Sequence, residues 1–188
     1  NVENKVGYIE FYNPPHNALP SSLLATLTET IETAAADPSI AVVVLQSGGD
    51  RTFCAGASFE ELIAISNPEQ GTVFFEGFAN VINALRNCPK ITIGRVQGKA
   101  VGGGVGLVAA TDYCIATAHS DIKLSELTIG IGPFVIEPAV TRKIGLSAMS
   151  QLSLEASTFF SAQWAHKKGL YMKICSSKES LDADVKQF

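Results

Sequence analysis

The 188-residue chain reads as an α/β protein on three observations. Residues 40–46, I-A-V-V-V-L-Q, form a continuous apolar run with a β-branched centre, as a strand buried on both faces requires. Segments with apolar residues at helical spacing stand between such runs. Strand and helix then alternate along the chain, the pattern of a sheet covered by helices.

The elements follow in order. Residues 5–11 alternate and read as a strand; 13–20, with Pro and Asn as breakers, as a loop. Ser21 or Ser22 is a candidate N-cap for a helix carrying Leu24, Leu27, Ile31 and Ala35 on one face, ended by Asp37-Pro38. After the strand at 40–46, residues 47–58 read as a long loop, 59–65 as a short helix, and 69–87 as a longer one presenting Phe74, Phe78, Val81 and Leu85. A strand at 91–97 runs into three glycines, followed by a helix at 105–110, a strand at 113–118 and a strand end at 122–127. Residues 134–145 read as a helix, with one or two more behind it. The last stretch, S-K-E-S-L-D-A-D-V-K-Q-F, opens an amphipathic helix that stops before it can bury a face. One core domain, 1–175, and the start of a shortened helical segment, 176–188, are therefore expected.

Composition narrows the function. A hydrophobic fraction of 46% with 17% charged residues is globular, not disordered. A net charge of −4 with no basic stripe argues against a general nucleic-acid binder. No run reaches the roughly 18 apolar residues of a membrane span, and no signal peptide opens the chain. Cys54, Cys88, Cys114 and Cys175 form no C-x-x-C pair and read as reduced thiols in or near the core. A reducing, cytoplasmic compartment is the expectation.

Two strands, at 40–46 and 91–97, each lead into a small-residue loop and then a helix start. The loops are F-C-A-G-A-S and A-V-G-G-G. In α/β sheets ligands gather where strand C-termini open into loops, and helix N-termini add unpaired N–H donors. Two such donors aimed at one point would form an oxyanion hole. Either loop alone reads equally well as tight packing of a helix on a strand. A phosphate loop fits less well, because G-G-G-V-G lacks the last glycine of G-x-G-x-x-G and no G-K-[ST] follows.

These residues carry a family resemblance. D-R-T-F-C-A-G-A-S-F-E-E-L, followed about 40 residues later by G-K-A-V-G-G-G-V-G-L-V-A-A-T-D-Y-C-I-A, resembles the crotonase, or enoyl-CoA hydratase/isomerase, family. K-L-S-E-L-T-I-G-I-G-P is similar to its stretch F-x-x-P-E-x-x-x-G-x-x-P, and N-P-P-H-N-A-L to its N-R-P-x-x-x-N-A-L. The match runs from about Val6 to Lys173. It implies a spiral of ββα units that binds an acyl-CoA thioester. By position, the two oxyanion N–H groups fall on Ala57 and Gly103. Cys54, Ala55, Gly56, Gly102, Gly106 and Pro133 are the implied substrate contacts. Coenzyme A is part of the substrate and no separate cofactor is implied. A homo-oligomer, trimer or hexamer, follows from the same resemblance, with neither nucleic acid nor membrane as partner.

The acid/base pattern departs from the family's hydratases, which use two glutamates. One lies two residues after the triplet, where this chain has Gly106. The other falls on Glu126, preceded by Ser125 in place of Pro. That family holds the water for hydration between two carboxylates, whereas a 3,2 double-bond shift takes one base. The pattern therefore favours isomerisation, with hydration proper and a catalytically weak acyl-thioester binder as alternatives. The oxyanion hole also fits decarboxylation, thioester hydrolysis or work on acyl-carrier-protein thioesters. A side chain at position 106 is expected on the thioester side of the helix. Glu137 reads either as a second acid or as a solvated helix residue. In place of the family's A-D-[IL]-K-E the chain has A-S-F-E-E, so Arg51 and Lys99 are the nearest cations for CoA phosphates, or simply solvated charges. His16, His119 and His166 lack metal-ligand spacing, and no metal is implied.

Overall fold

The β-branched runs build the main sheet. The computed structural model describes residues 1–187. In it β1 (Val2–Glu3), β2 (Val6–Phe11), β4 (Val42–Ser47), β7 (Ile91–Val96), β9 (Tyr113–Thr117) and β11 (Lys173–Cys175) lie side by side in that order. All pairs are parallel except β1 with β2. Val43, Val44, Ile93 and Ile115 have no exposed surface, as strands covered on both faces require.

Short strands leave this sheet between its members. β5 (Thr52–Cys54), β8 (Lys99–Val101) and β10 (Ile122–Lys123) form a second parallel sheet in the order β10-β8-β5, and β3 (Ala18–Leu19) pairs with β6 (Gly56–Ala57). The chain thus repeats one excursion: a main-sheet strand, a small-sheet strand, then helix. β4 and β5 lead to α2 (Phe59–Ala64) and α3 (Pro68–Asn87); β7 and β8 to α4 (Gly103–Ala110); β9 and β10 to a 3-10 turn (Glu126–Ile129) and α5 (Glu137–Leu154). This is the expected α/β spiral of ββα units. The expected long loop at 47–58 holds β5 and β6, and β8 and β11 join the sheets as well. At two or three residues each, they are too short to show a period in sequence.

The helices show why they form. α1 (Ser21–Ala36) buries Leu24, Leu27 and Ile31 as expected; the fourth contact is Ala34, with Ala35 only half-buried. Its N-cap is Pro20, not a serine. The capping acceptor comes from α2 instead: the Ser21 N–H and hydroxyl both donate to Glu61 Oε2, at 2.9 and 2.6 Å. A carboxylate there also complements the helix dipole. α3 starts with Pro68 behind an Asn67 cap and buries Phe74, Phe78, Val81, Ile82 and Leu85. α4 is apolar and buried nearly all round, the signature of a core helix. The helix expected over 134–145 begins at Glu137 and continues to Leu154 through a kink at Gly145, where φ is 78°. α6 (Ala162–Lys167) follows, capped by Ser161.

The C-terminal segment corrects an expectation. α7 (Lys178–Val185) does bury a face: Leu181 and Val185, four residues apart, pack with Val44, Ile93, Ile115 and Cys175 on the main sheet. A Ser177–Ser180 capping box starts it, and Asp182 pairs with the nearly buried Arg95 at 2.5 Å. Two apolar residues at helical spacing suffice when a flat β-branched surface lies opposite. Residue 188 of the expected segment lies outside the described residues. Leu181→Ala is expected to cost about 2–5 kcal/mol, the range for emptying a packed leucine site. Urea unfolding checks this; a loss below about 1 kcal/mol would mean that α7 is not integral to the fold.

Candidate active site

The two small-residue loops touch. In the first, β5 ends at Cys54, β6 carries Gly56–Ala57, and Ser58 caps α2 by accepting from the Glu61 N–H at 3.3 Å. In the second, β8 passes through Gly102 into α4, whose first residue is Gly103. A Cβ on Gly56 would stand 3.2 Å from the Val101 carbonyl oxygen and 3.6 Å from the Gly103 nitrogen. The Gly103 N–H, at the first helical position, has no acceptor within its own helix. Asn17 braces the first loop. It is buried in a left-handed conformation, its Nδ2 donates to the Gly48 and Thr52 carbonyls (2.9 and 3.0 Å), and its own carbonyl accepts from the Ala55 N–H at 3.2 Å.

The glycine triplet is required by backbone conformation and by packing, and two of its residues stand on a cavity wall. Gly102 has φ 52° and ψ −121°, a conformation that disfavours any Cβ, and a Cβ there would approach Glu126 Oε1 to 3.1 Å. The side of Gly103 where a Cβ would stand is filled by the Phe78 ring from α3, and that of Gly104 by Cys54, whose carbonyl oxygen would be 2.7 Å away. Packing therefore penalises a side chain at Gly103, where the Phe78 ring must shift, and at Gly104, where backbone stands in the way, while Gly102 and Gly103 also line a cavity of about 200 Å³.

Glu126 opens the 3-10 turn, which Gly130 closes at φ 79°. Its carboxylate faces the same cavity. Oε2 is buried and has no hydrogen-bond partner among the described residues. Burial holds the carboxyl pKa above its ordinary 4.5, with the residue's own backbone N–H pulling weakly the other way. A buried carboxyl with a raised pKa is the kind of group that exchanges a proton with a bound ligand.

Of the sequence-predicted residues, Ala55, Gly56, Ala57, Gly102, Gly103, Glu126 and Pro133 meet around this cavity. Cys54 and Gly106 do not reach its wall. Cys54 lies behind the first loop, fully buried, with its Sγ accepting from the Gly56 N–H at 3.4 Å. Burial pushes its thiol up to about 12, so it stays protonated at neutral pH. Gly106 is buried inside α4, and a Cβ on it would fall 2.5 Å from Ile136 Cγ2 and 3.1 Å from Ile82 Cδ1. Ile136 itself lines the cavity. The place expected to receive a side chain from position 106 is thus filled by an apolar one from just before α5.

The remaining candidates sit elsewhere. Glu137 is half-buried in the first turn of α5, accepts from the Thr141 hydroxyl at 2.6 Å, and is absent from the cavity wall. Arg51 and Lys99 are neighbours at the far end of β8 from Gly102, where the Lys99 N–H donates to the Arg51 carbonyl at 3.1 Å. Lys99 Nζ lies 4.7 Å from the centre of the Phe159 ring. His16, His119 and His166 are exposed. Phe75 and Ile136, both on the cavity wall, escaped sequence reasoning. Phe78 was legible only as part of a helix face, with nothing to show that it meets Gly103.

Residues 1–188 match the enoyl-CoA hydratase/isomerase family model. The chain is 30% identical over 167 residues to enoyl-CoA hydratase ACTT6 of Alternaria alternata, covering 89% of this chain and 54% of that protein. It is 28% identical over 201 residues to the peroxisomal Delta(3,5)-Delta(2,4)-dienoyl-CoA isomerase of Arabidopsis thaliana, covering 98% and 70%. The crystal structure of an enoyl-CoA hydratase from Shewanella pealeana superposes with a TM-score of 0.92 at 29% identity, covering all of this chain and 70% of that one. The chain belongs to the enoyl-CoA hydratase/isomerase family. It spans between 54% and 63% of the length of three of its curated relatives.

Proposed function

We propose that this chain is an enzyme acting on an acyl-CoA thioester and that its reaction is a double-bond shift, not hydration. One observation carries the choice: Glu126 is the only carboxylate among the residues on the cavity wall, and Ile136 fills the place opposite Gly106. The Ala57 and Gly103 N–H groups serve as donors to the thioester oxygen. Glu126 takes a proton from C2 of a 3-enoyl thioester, and the electron pair moves onto that oxygen as an enolate. The donors favour this charge over the ground-state carbonyl. The enolate collapses as Glu126 returns the proton to C4, leaving the 2-enoyl thioester. Hydration has no second carboxylate to hold a water. By family membership the active form is a homo-oligomer, a trimer or hexamer, which sedimentation checks.

The test is a panel of 3-enoyl-, 2-enoyl- and 3-hydroxyacyl-CoA substrates followed by thioester absorbance. Conversion of the 3-enoyl to the 2-enoyl compound is expected to dominate. Binding of every substrate without turnover of any would replace the enzyme with a thioester-binding protein.

The pH profile gives a second check. A base must be ionised to act, and burial raises the Glu126 pKa above 4.5. The acid limb of kcat/KM, which reports the free enzyme, is therefore expected above the ordinary carboxylate range. Activity should fall as pH drops through that raised value. An acid limb at or below 4.5 would assign the base to an exposed group.

A further inference from the structure

Resting on the acyl-CoA reading, we propose that the substrate is a short-chain acyl thioester and that Phe75 sets the limit. The cavity beside Gly103 and Glu126, open to solvent on one side, holds about 200 Å³. At the roughly 30 Å³ of a water-sized group, that is space for about seven non-hydrogen atoms. The thioester carbon, oxygen and sulfur take about three of them, leaving a few carbons of acyl chain.

The cavity does not end in solid core. Behind it lies an open, mostly apolar groove of about 690 Å³ that runs past Gly71, Ala79 and Phe134. Cavity and groove share four wall residues: Phe75, Ile131, Gly132 and Val135. Ile131 and Gly132 belong to the loop after the 3-10 turn, where the Phe134 ring lies against Gly132, 2.5 Å from where a Cβ would stand. Phe75 is the large side chain on the opposite, α3 side. It is half-buried and belongs to both walls. Its ring is held edge-on by Phe74, with centroids 5.1 Å apart and planes at 83°. A chain longer than the cavity meets this ring before it reaches the groove. Without the ring, the two spaces join into one apolar channel.

Binding of saturated butyryl-CoA and decanoyl-CoA, measured by calorimetry on the parent, Phe75→Ala and Val135→Ala, tests this without requiring turnover. Each methylene that gains burial is worth about fourfold in affinity. The parent is expected to bind decanoyl-CoA no more tightly than butyryl-CoA. Phe75→Ala is expected to bind decanoyl-CoA at least about tenfold more tightly than the parent does, two buried methylenes' worth, and Val135→Ala to shift the ratio the same way by less. Circular dichroism confirms the fold of each variant, and Val135→Ala decides if Phe75→Ala does not fold. A parent that already favours decanoyl-CoA, or folded variants with the parental ratio, would overturn the limit while leaving the acyl-CoA reading intact. A parent that binds neither compound would overturn the acyl-CoA reading and the limit with it.

Discussion

Glu126→Gln is expected to lower turnover by about 10²- to 10⁴-fold, the usual contribution of one positioned acid/base, while acyl-CoA binding survives. The substitution keeps the shape of the side chain and removes its only titrating group. The same change should stabilise the protein at neutral pH. Burial raises the Glu126 pKa above 4.5, so the folded state holds the proton more firmly than the unfolded chain does. The favourable contribution of this group is complete below 4.5 and is lost as pH rises through the raised value. Glutamine removes that loss. Its stability gain over the parent, followed by thermal melts across pH, should shrink towards zero as pH falls to about 4.5. Retained turnover in Glu126→Gln, abolished instead by Glu137→Gln, would move the base to α5.

Comparing Gly103→Ala with Gly103→Pro tests the proposed role of the Gly103 N–H as the second oxyanion donor. Both substitutions place a Cβ against the Phe78 ring, so both carry the same kind of steric cost, about 1–3 kcal/mol for overpacking a filled site. Only proline also removes the N–H, its Cδ taking the place of that hydrogen on the cavity side. Gly103 is the first helical residue, where proline is compatible with the backbone. Turnover of Gly103→Pro is therefore expected to fall about 10²- to 10³-fold below that of Gly103→Ala, the effect of losing one donor of an oxyanion hole. Equal turnover in the two folded variants would exclude the Gly103 N–H as a donor.

The longer main-sheet strands, β2, β4, β7 and β9, were legible in the sequence, most clearly where burial on both faces writes a continuous apolar signal, as in V-V-V-L at 42–45. Of the small-sheet strands only β10 was, as the strand end at 122–127; a three-residue strand such as Lys99–Val101 has no period to read. α7 was underestimated because only Leu181 and Val185 announce its buried face. Cap chemistry failed at α1, where the acceptor is Glu61, forty residues away in sequence. At the site, the two loops and Glu126 were legible through motif spacing, and their meeting at one cavity follows from the repeated ββα excursion. Cys54 and Gly106 belong to those motifs but serve the packing behind the wall. Ile136 left no trace in sequence, because V-I-E-P is equally compatible with a buried or a solvent-facing isoleucine. Its role depends on the missing Cβ of Gly106, thirty residues earlier.

The central claim is that one carboxylate moves a proton within a site that does not deliver water to the double bond. The most direct measurement is nuclear magnetic resonance of the product formed from 3-pentenoyl-CoA doubly deuterated at C2. A single base that removes a deuteron from C2 and returns it to C4 predicts 2-pentenoyl-CoA carrying deuterium at C4, with that compound as the end point. The account would be contradicted by 3-hydroxypentanoyl-CoA forming as fast as the 2-enoyl isomer, because water would then be held and activated without a second carboxylate.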